Sequence, residues 1–344
     1  MQTDLSSTLL YRKALGCLLG GLIGDAMGTP TEGKDYQQIE DQFGWVEDFA
    51  TDGTDDTVMK NLLAEALIRT GGHATMDAWA QVWLDRWDAI FGPKQNKFFL
   101  SVLHTAHKLR RHGTPRTAAL GNMPSSSSAM CISPVGIVNA ANPRAAAIQA
   151  YNLAALIHTH DVGFCQDGAA SMAPAVAAAF APDATVASVL DAATRYIEPL
   201  SGREMLDAIE RALTLARTSG DYVAFRARVY ERAHEFFRPI ICDSRETVPL
   251  TLAIVLLAEG DVRRSVTYGA NLGRDADTIA SMAGAIAGAL HGIEGVPVQW
   301  AGKAQLLCAQ DQEQLALDLA RTAIARQLDL SAAAERVEML CQAP

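Results

Sequence analysis

Gly16-Cys-Leu-Leu-Gly-Gly-Leu-Ile-Gly-Asp-Ala-Met-Gly28 is an apolar, helix-length stretch in which Gly16, Gly20, Gly24 and Gly28 recur at four-residue spacing. Gly284, Gly288 and Gly292 repeat the device near the other end of the chain. On a helix each set forms one ridge. Glycine inside a helix costs about 1 kcal/mol relative to alanine, so seven of them in register imply a return in close backbone approach. The two helices are expected to pack tightly, and on each other.

Outward from these ridges, helical periodicity dominates and alternating Val, Ile and Thr runs are nearly absent, so the chain reads as mostly or entirely α. Helices are expected over about 9–27, 57–70, 75–91, 97–112, 143–157, 168–180, 185–196, 203–218, 221–236, 246–258, 262–271, 278–291 and 311–338. No Pro/Gly/Ser-rich linker divides the sequence and no repeat of about 20–50 residues recurs, which argues for a single domain over residues 1–344. Trp79, Trp83 and Trp87 fall on one helix face and read as a core-facing stripe rather than a stacking platform.

Of the 344 residues, 49% are hydrophobic and 20% charged, the balance of a compact chain rather than a disordered one. The net charge of −10, with no run of Lys and Arg, argues against nucleic-acid binding. Six scattered cysteines without a CxxC pair fit reduced thiols and a cytoplasmic location. The start Met-Gln-Thr-Asp-Leu lacks the basic and apolar regions of a signal peptide. The apolar stretch from Thr278 to Ile293 falls short of the roughly 20 residues that span a bilayer, so it reads as a buried helix and no membrane partner is expected.

The chemistry is concentrated in two acidic segments. Asp52-Gly-Thr-Asp-Asp-Thr57 precedes a helix, where carboxylates gain from exposed N–H groups and the dipole, with Asp56 or Thr57 as N-cap. Asn271-Leu-Gly-Arg-Asp-Ala-Asp-Thr278 repeats the pattern of Gly, acids and Thr before a helix. In an extended segment Asp275 and Asp277 point the same way; within a regular helix they would diverge. Asp55, Asp56, Asp275 and Asp277 with the hydroxyls of Thr54 and Thr278 make an all-oxygen donor set. Such a set selects a hard cation, Mg²⁺ or Mn²⁺, and its charge suffices for two ions. Two ions can hold vicinal hydroxyls or a phosphate and orient a water.

These residues resemble the ADP-ribosylglycohydrolase family from about Gly16 to Trp300. The marks are the Gly16–Gly28 stretch, Thr54-Asp-Asp-Thr57, Gly273-Arg-Asp-Ala-Asp-Thr-Ile-Ala-Ser-Met-Ala-Gly-Ala-Ile-Ala-Gly288 and His291-Gly292. The resemblance implies an all-α orthogonal multi-helix bundle with two Mg²⁺ ions in a cleft. It implies Thr54, Asp55, Asp56, Asp275, Asp277 and Thr278 as metal ligands. Glu32, after Gly28-Thr-Pro-Thr, falls where many members carry a loop glutamate near the reacting ribose and is the candidate general acid/base, with Asp56 and Asp277 as the site aspartates that share the proton work. Gly273, and His160 rather than His158, fall where the family contacts substrate.

One segment departs from the family. Where members have Gly-Asn-Gly-x-x-Met-Arg, this chain has Ser125-Ser-Ser-Ser-Ala-Met-Cys131. Ser127, Ser128 and Met130 stay candidate substrate contacts, since serine hydroxyls donate to a diphosphate or a sugar. The missing arginine opens the alternative of a smaller ribosyl or glycosyl substrate without ADP. The implied activity is magnesium-dependent hydrolysis of a glycosidic bond in an ADP-ribosylated protein or a small ribosylated molecule, by metal-gripped ribose hydroxyls and an oxocarbenium-like transition state. Two rivals remain: a His-Asp metal phosphohydrolase built on His158-Thr-His160-Asp161, and a module that binds such a ligand without hydrolysing it.

Overall fold

The computed structural model describes residues 4–91 and 95–342, and every regular element among them is helical. Leu9–Gly28 and Ala276–His291 form the central pair. Both are buried almost throughout, in keeping with their apolar composition. The paired glycine ridges are where they meet. A Cβ on Gly16, Gly20, Gly24 or Gly28 would collide with the backbone of Gly288–Gly292, Gly284, Ala280 or Asp277, respectively. Only hydrogen at these positions lets the two backbones approach so closely.

Phe164–Ala179, Ser244–Leu257, Val262–Ala270 and the start of Gln312–Gln342 pack around the pair, and one hydrophobic cluster runs from Ala14 to Leu319. Trp79 and Trp83 are fully buried and meet edge-to-face at 5.4 Å, so they are core, while Trp87 is half-buried against it. No helix among the described residues is long and apolar enough to cross a membrane.

Several boundaries differ from the periodicity. The second acidic helix starts at Ala276 rather than 278, and the first at Asp55 rather than 57, with Thr54 as its N-cap in place of Asp56 or Thr57. Asp55, Asp56 and Asp277 therefore lie within the first turns rather than before them, with Asp275 at the N-cap. The expected helix over 75–91 stops at Asp85, and Trp87–Phe91 continues as a π turn. Tyr36–Phe43, Ser133–Val138 and Val298–Leu307 are additional helices. Tyr36–Phe43 is short and mostly exposed, held by a capping box between Asp35 and Gln38, which left little apolar periodicity to read.

Candidate active site

The glycine-paired helices bring the two acidic segments to one end of the bundle. Thr54 closes the N-terminus of Asp55–Arg69, and Asp275 sits at the N-cap of Ala276–His291 with a non-helical backbone. That break in conformation, rather than an extended strand, lets Asp275 and Asp277 converge. Carboxylate oxygens of Glu32, Asp275 and Asp277 lie within 4.8 Å of one another. The Thr54 hydroxyl is 3.3 Å from Asp277 Oδ2, and the Thr278 hydroxyl donates to Asp56 Oδ1 at 3.2 Å.

These groups line a cavity of about 580 Å³. Glu32 and Thr29 stand on one side, Asn96–Phe99 on another, and Ser126, Ser127, Met130, Ile241 and Cys242 close it. Lys97 is the one basic side chain among the described lining residues. Its ammonium bonds the Gly53 carbonyl at 3.2 Å and faces Asp52 at 3.6 Å.

Electrostatics make the cluster costly as it stands. Burial, then the charge of Glu32, pushes Asp275 up to about 8. Burial raises Asp55 to about 7, with Asp25 adding to it against the Phe99 N–H that donates to Asp55. Asp56 and Asp277 lie well above the usual carboxylate range, from burial first and neighbouring carboxylates second. Glu32 is exposed by area yet stands in the mouth of a concave acidic site. Partial loss of hydration, then the charge of Asp25, raises it. Asp56 Oδ2 and Asp277 Oδ1 are buried with no hydrogen-bond partner. A buried anion without a partner is strongly disfavoured, and a hard divalent cation satisfies these oxygens while cancelling their repulsion. The donor set fits such an ion.

Asp25 is a residue that motif reading passed over. It is fully buried in the first helix and accepts from the Thr54 N–H and hydroxyl at 2.8 and 2.9 Å and from the Thr57 N–H and hydroxyl at 3.0 and 2.6 Å. It thereby fixes the turn that aims Thr54 and Asp55. Its place between Gly24 and Ala26, with three residues to Gly28, was visible; its partners, some 30 residues on, were not. Lys60, also buried, donates to the Leu18 carbonyl at 3.0 Å; burial lowers its pKa, against which the charges of Asp25 and Asp56 act.

Three expected substrate contacts lie elsewhere. His160 takes a left-handed backbone (φ +55°) and is exposed, its ring 3.1 Å from the Thr159 hydroxyl. The chain turns at Thr159, which sends His160 outward and leaves His158 inside. Ser128 is buried behind the cavity wall against His158. Gly273 (φ +86°) stands behind the site, where a Cβ would lie 2.5 Å from the Lys34 carbonyl and 2.7 Å from the Tyr230 hydroxyl. Its neighbour Arg274 instead ties down the Glu32 loop: the Gly33 N–H donates to the Arg274 carbonyl and the Arg274 N–H to the Lys34 carbonyl, both at 2.8 Å. The His-Asp reading loses its site, because both ring nitrogens of His158 are engaged by serines.

The chain, all helical among its described residues, brings hydroxyls and carboxylates together at helix N-termini, and the family it matches makes it a hydrolase acting on glycosyl bonds. The model of the ADP-ribosylglycohydrolase family matches residues 6–329, and the chain belongs to that family, which is generally metal-dependent. The uncharacterized protein YegU of Escherichia coli (strain K12) is 29% identical over 311 residues, covering 83% of this chain and 89% of that one. Human ADP-ribosylhydrolase ARH3 is 25% identical over 320 residues, covering 83% and 87%. A solved ADP-ribosylglycohydrolase-related protein complex superposes with a TM-score of 0.68 at 19% identity, over 91% of this chain and 99% of that one, and shares the fold.

Proposed function

We propose that this single-domain chain is a magnesium-dependent hydrolase that cleaves the glycosidic bond of an ADP-ribosylated or ribosylated substrate, releasing ADP-ribose or a related sugar in the cytoplasm. The observation that carries it is the convergence of Glu32, Asp275 and Asp277 within 4.8 Å, beside the unpartnered oxygens of Asp56 and Asp277. Thr54, Asp55, Asp56, Asp275, Asp277 and Thr278 would hold two Mg²⁺ ions, with Mn²⁺ as a substitute. When bound, such ions supply Lewis-acid polarisation of the ribose hydroxyls and an oriented water.

The chain's own groups divide the remaining work. Glu32, with a raised pKa and access to solvent, suits proton transfer to the leaving group or from the water. Asp56 and Asp277 are the other site carboxylates able to move that proton. Asp25 fixes Thr54 and Thr57, and with them the turn that carries Asp55 and Asp56, from behind. Ser126, Ser127 and Met130 form the wall against which the sugar would rest. Release of ADP-ribose from modified peptides, followed by mass spectrometry with and without Mg²⁺, tests the proposal. No release from any ADP-ribosylated or ribosylated compound would refute it.

A second reading, a glycosidase on a smaller ribosyl metabolite without ADP, draws on one observation. Lys97 alone among the described lining residues offers positive charge to a diphosphate.

A further inference from the structure

Ser125-Ser-Ser-Ser128 looks, as sequence, like a flexible polar turn. In the fold all four serines are buried, and their hydroxyls are committed to specific partners. Ser126 Oγ donates to Asp275 Oδ2 at 3.1 Å. Ser127 lines the cavity. Ser125 Oγ lies 2.8 Å from Ser101 Oγ and 2.9 Å from Ser127 Oγ. Behind them stands the fully buried His158, with Nε2 2.9 Å from Ser125 Oγ and Nδ1 2.9 Å from Ser128 Oγ.

Both serines have further partners. Ser128 Oγ also reaches the Cys165 carbonyl at 3.3 Å, and a carbonyl only accepts. Ser125 Oγ in turn donates to Ser127 Oγ at 2.9 Å, so each serine is shared between the ring and a second acceptor and holds His158 from its own side. Burial, which pushes the imidazole down to about 3, keeps it neutral. The histidine is anchored in turn. The neighbouring Ile157 carbonyl accepts from Asn122 Nδ2 at 2.7 Å, and that same amide nitrogen holds Thr105 Oγ1 at 2.9 Å and the Ser101 carbonyl at 3.0 Å.

We propose that His158 is a positioning residue for the substrate cavity: wedged between Ser125 and Ser128, it braces the serine turn so that Ser126 stays on Asp275 and Ser127 on the cavity wall. It touches neither cavity nor acids itself. The brace has one consequence for specificity. The turn cannot shift to fit a different ligand without breaking a buried hydrogen bond, and each such break leaves an unsatisfied group. This inference rests on the reading of the cavity as the substrate site.

The test uses His158→Phe, which keeps a buried ring and removes both bonds, alongside His158→Gln and His158→Asn. Gln is shaped to restore the Ser125 bond and Asn the Ser128 bond. Against a substrate that the wild-type chain turns over, His158→Phe should raise KM about tenfold, the loss expected for one to two buried hydrogen bonds, with kcat changed less than about twofold. Gln and Asn should each recover part of it. Amide hydrogen exchange should accelerate across 125–131 in the Phe variant and stay unchanged in Leu9–Gly28 and Ala276–His291. Unchanged KM and exchange would overturn the brace. So would acceleration throughout the central helices, which marks plain core packing, or a fall in kcat at constant KM, which places His158 at the reacting atoms. If the wild-type chain hydrolyses no such substrate, the functional reading fails, and the exchange comparison alone decides the brace.

Discussion

A Cβ on Gly20 would lie 2.8 Å from the carbonyl carbon of Gly284, and a Cβ on Gly284 would lie 2.8 Å from that of Gly20. The contact is reciprocal and made of backbone on both sides, so no side chain can move aside. Gly20→Ala and Gly284→Ala should each destabilise by at least about 2 kcal/mol, the overpacking cost exceeding the ~1 kcal/mol that alanine gains in a helix. Gly302 is the control: it is helical with open space around it, and Gly302→Ala should stabilise by about 0.5–1 kcal/mol. Urea denaturation reads both signs.

The acids at the helix N-termini separate activity from folding. Asp277→Ala and Asp55→Ala should lose at least about 100-fold in kcat, the scale of losing transition-state electrostatics, while helical circular dichroism is retained. Glu32→Gln should lose kcat with little change in the Mg²⁺ concentration for half-maximal rate. A Glu32→Gln enzyme of full activity would remove Glu32 from the proton transfer.

Without metal, stability should fall as pH rises. Asp55 at about 7 and Asp275 at about 8 lie above their ordinary value of 3.8, so the folded chain binds more protons than the unfolded one between about pH 4 and 8. The cost appears as pH climbs through that window and is complete above it. Mg²⁺ should therefore raise the melting temperature far more at pH 8 than at pH 5, where protons already occupy the site. Thermal melts in EDTA and in Mg²⁺ at the two pH values check this; equal shifts would contradict it.

Asp25 offers a case of indirect control. Asp25→Asn keeps its shape but replaces one acceptor oxygen, so the Thr54 or the Thr57 pair is broken. An outer partner of this kind is worth about 10–100-fold in metal affinity. The Mg²⁺ dependence of the rate should shift by that factor with near-normal activity at saturation.

Lys97→Ala discriminates between substrate classes. If the diphosphate rests against Lys97, KM for an ADP-ribosylated peptide should rise about tenfold, as for loss of one charge-assisted contact, while a ribosylated compound without phosphate is unaffected. Equal effects on both would assign Lys97 to its bond with Gly53 instead.

Much of this was legible in residue order. The helical class followed from periodicity, and the meeting of the central helices from Gly16, Gly20, Gly24 and Gly28 against Gly284, Gly288 and Gly292, because repeated loss of side chains has one economical use. The acids of both segments were legible because like charges beside a helix start are unfavourable unless something binds them. Other features were decided only by the tertiary structure. Asp25 looks like one more polar residue until residues 54 and 57 fold onto it. Of His158 and His160, only the fold shows that the first faces inward and the second outward, since His160 itself takes a left-handed backbone. Nothing along the chain shows that the serine turn is held, because the groups that immobilise it, Ser101, His158, Cys165 and Ser244, come from distant segments. Periodicity and charge are properties of neighbours along the chain and can be read there. A hydrogen bond between residues far apart in sequence exists only once packing has brought them together, and it is such bonds that shape the pocket of this protein.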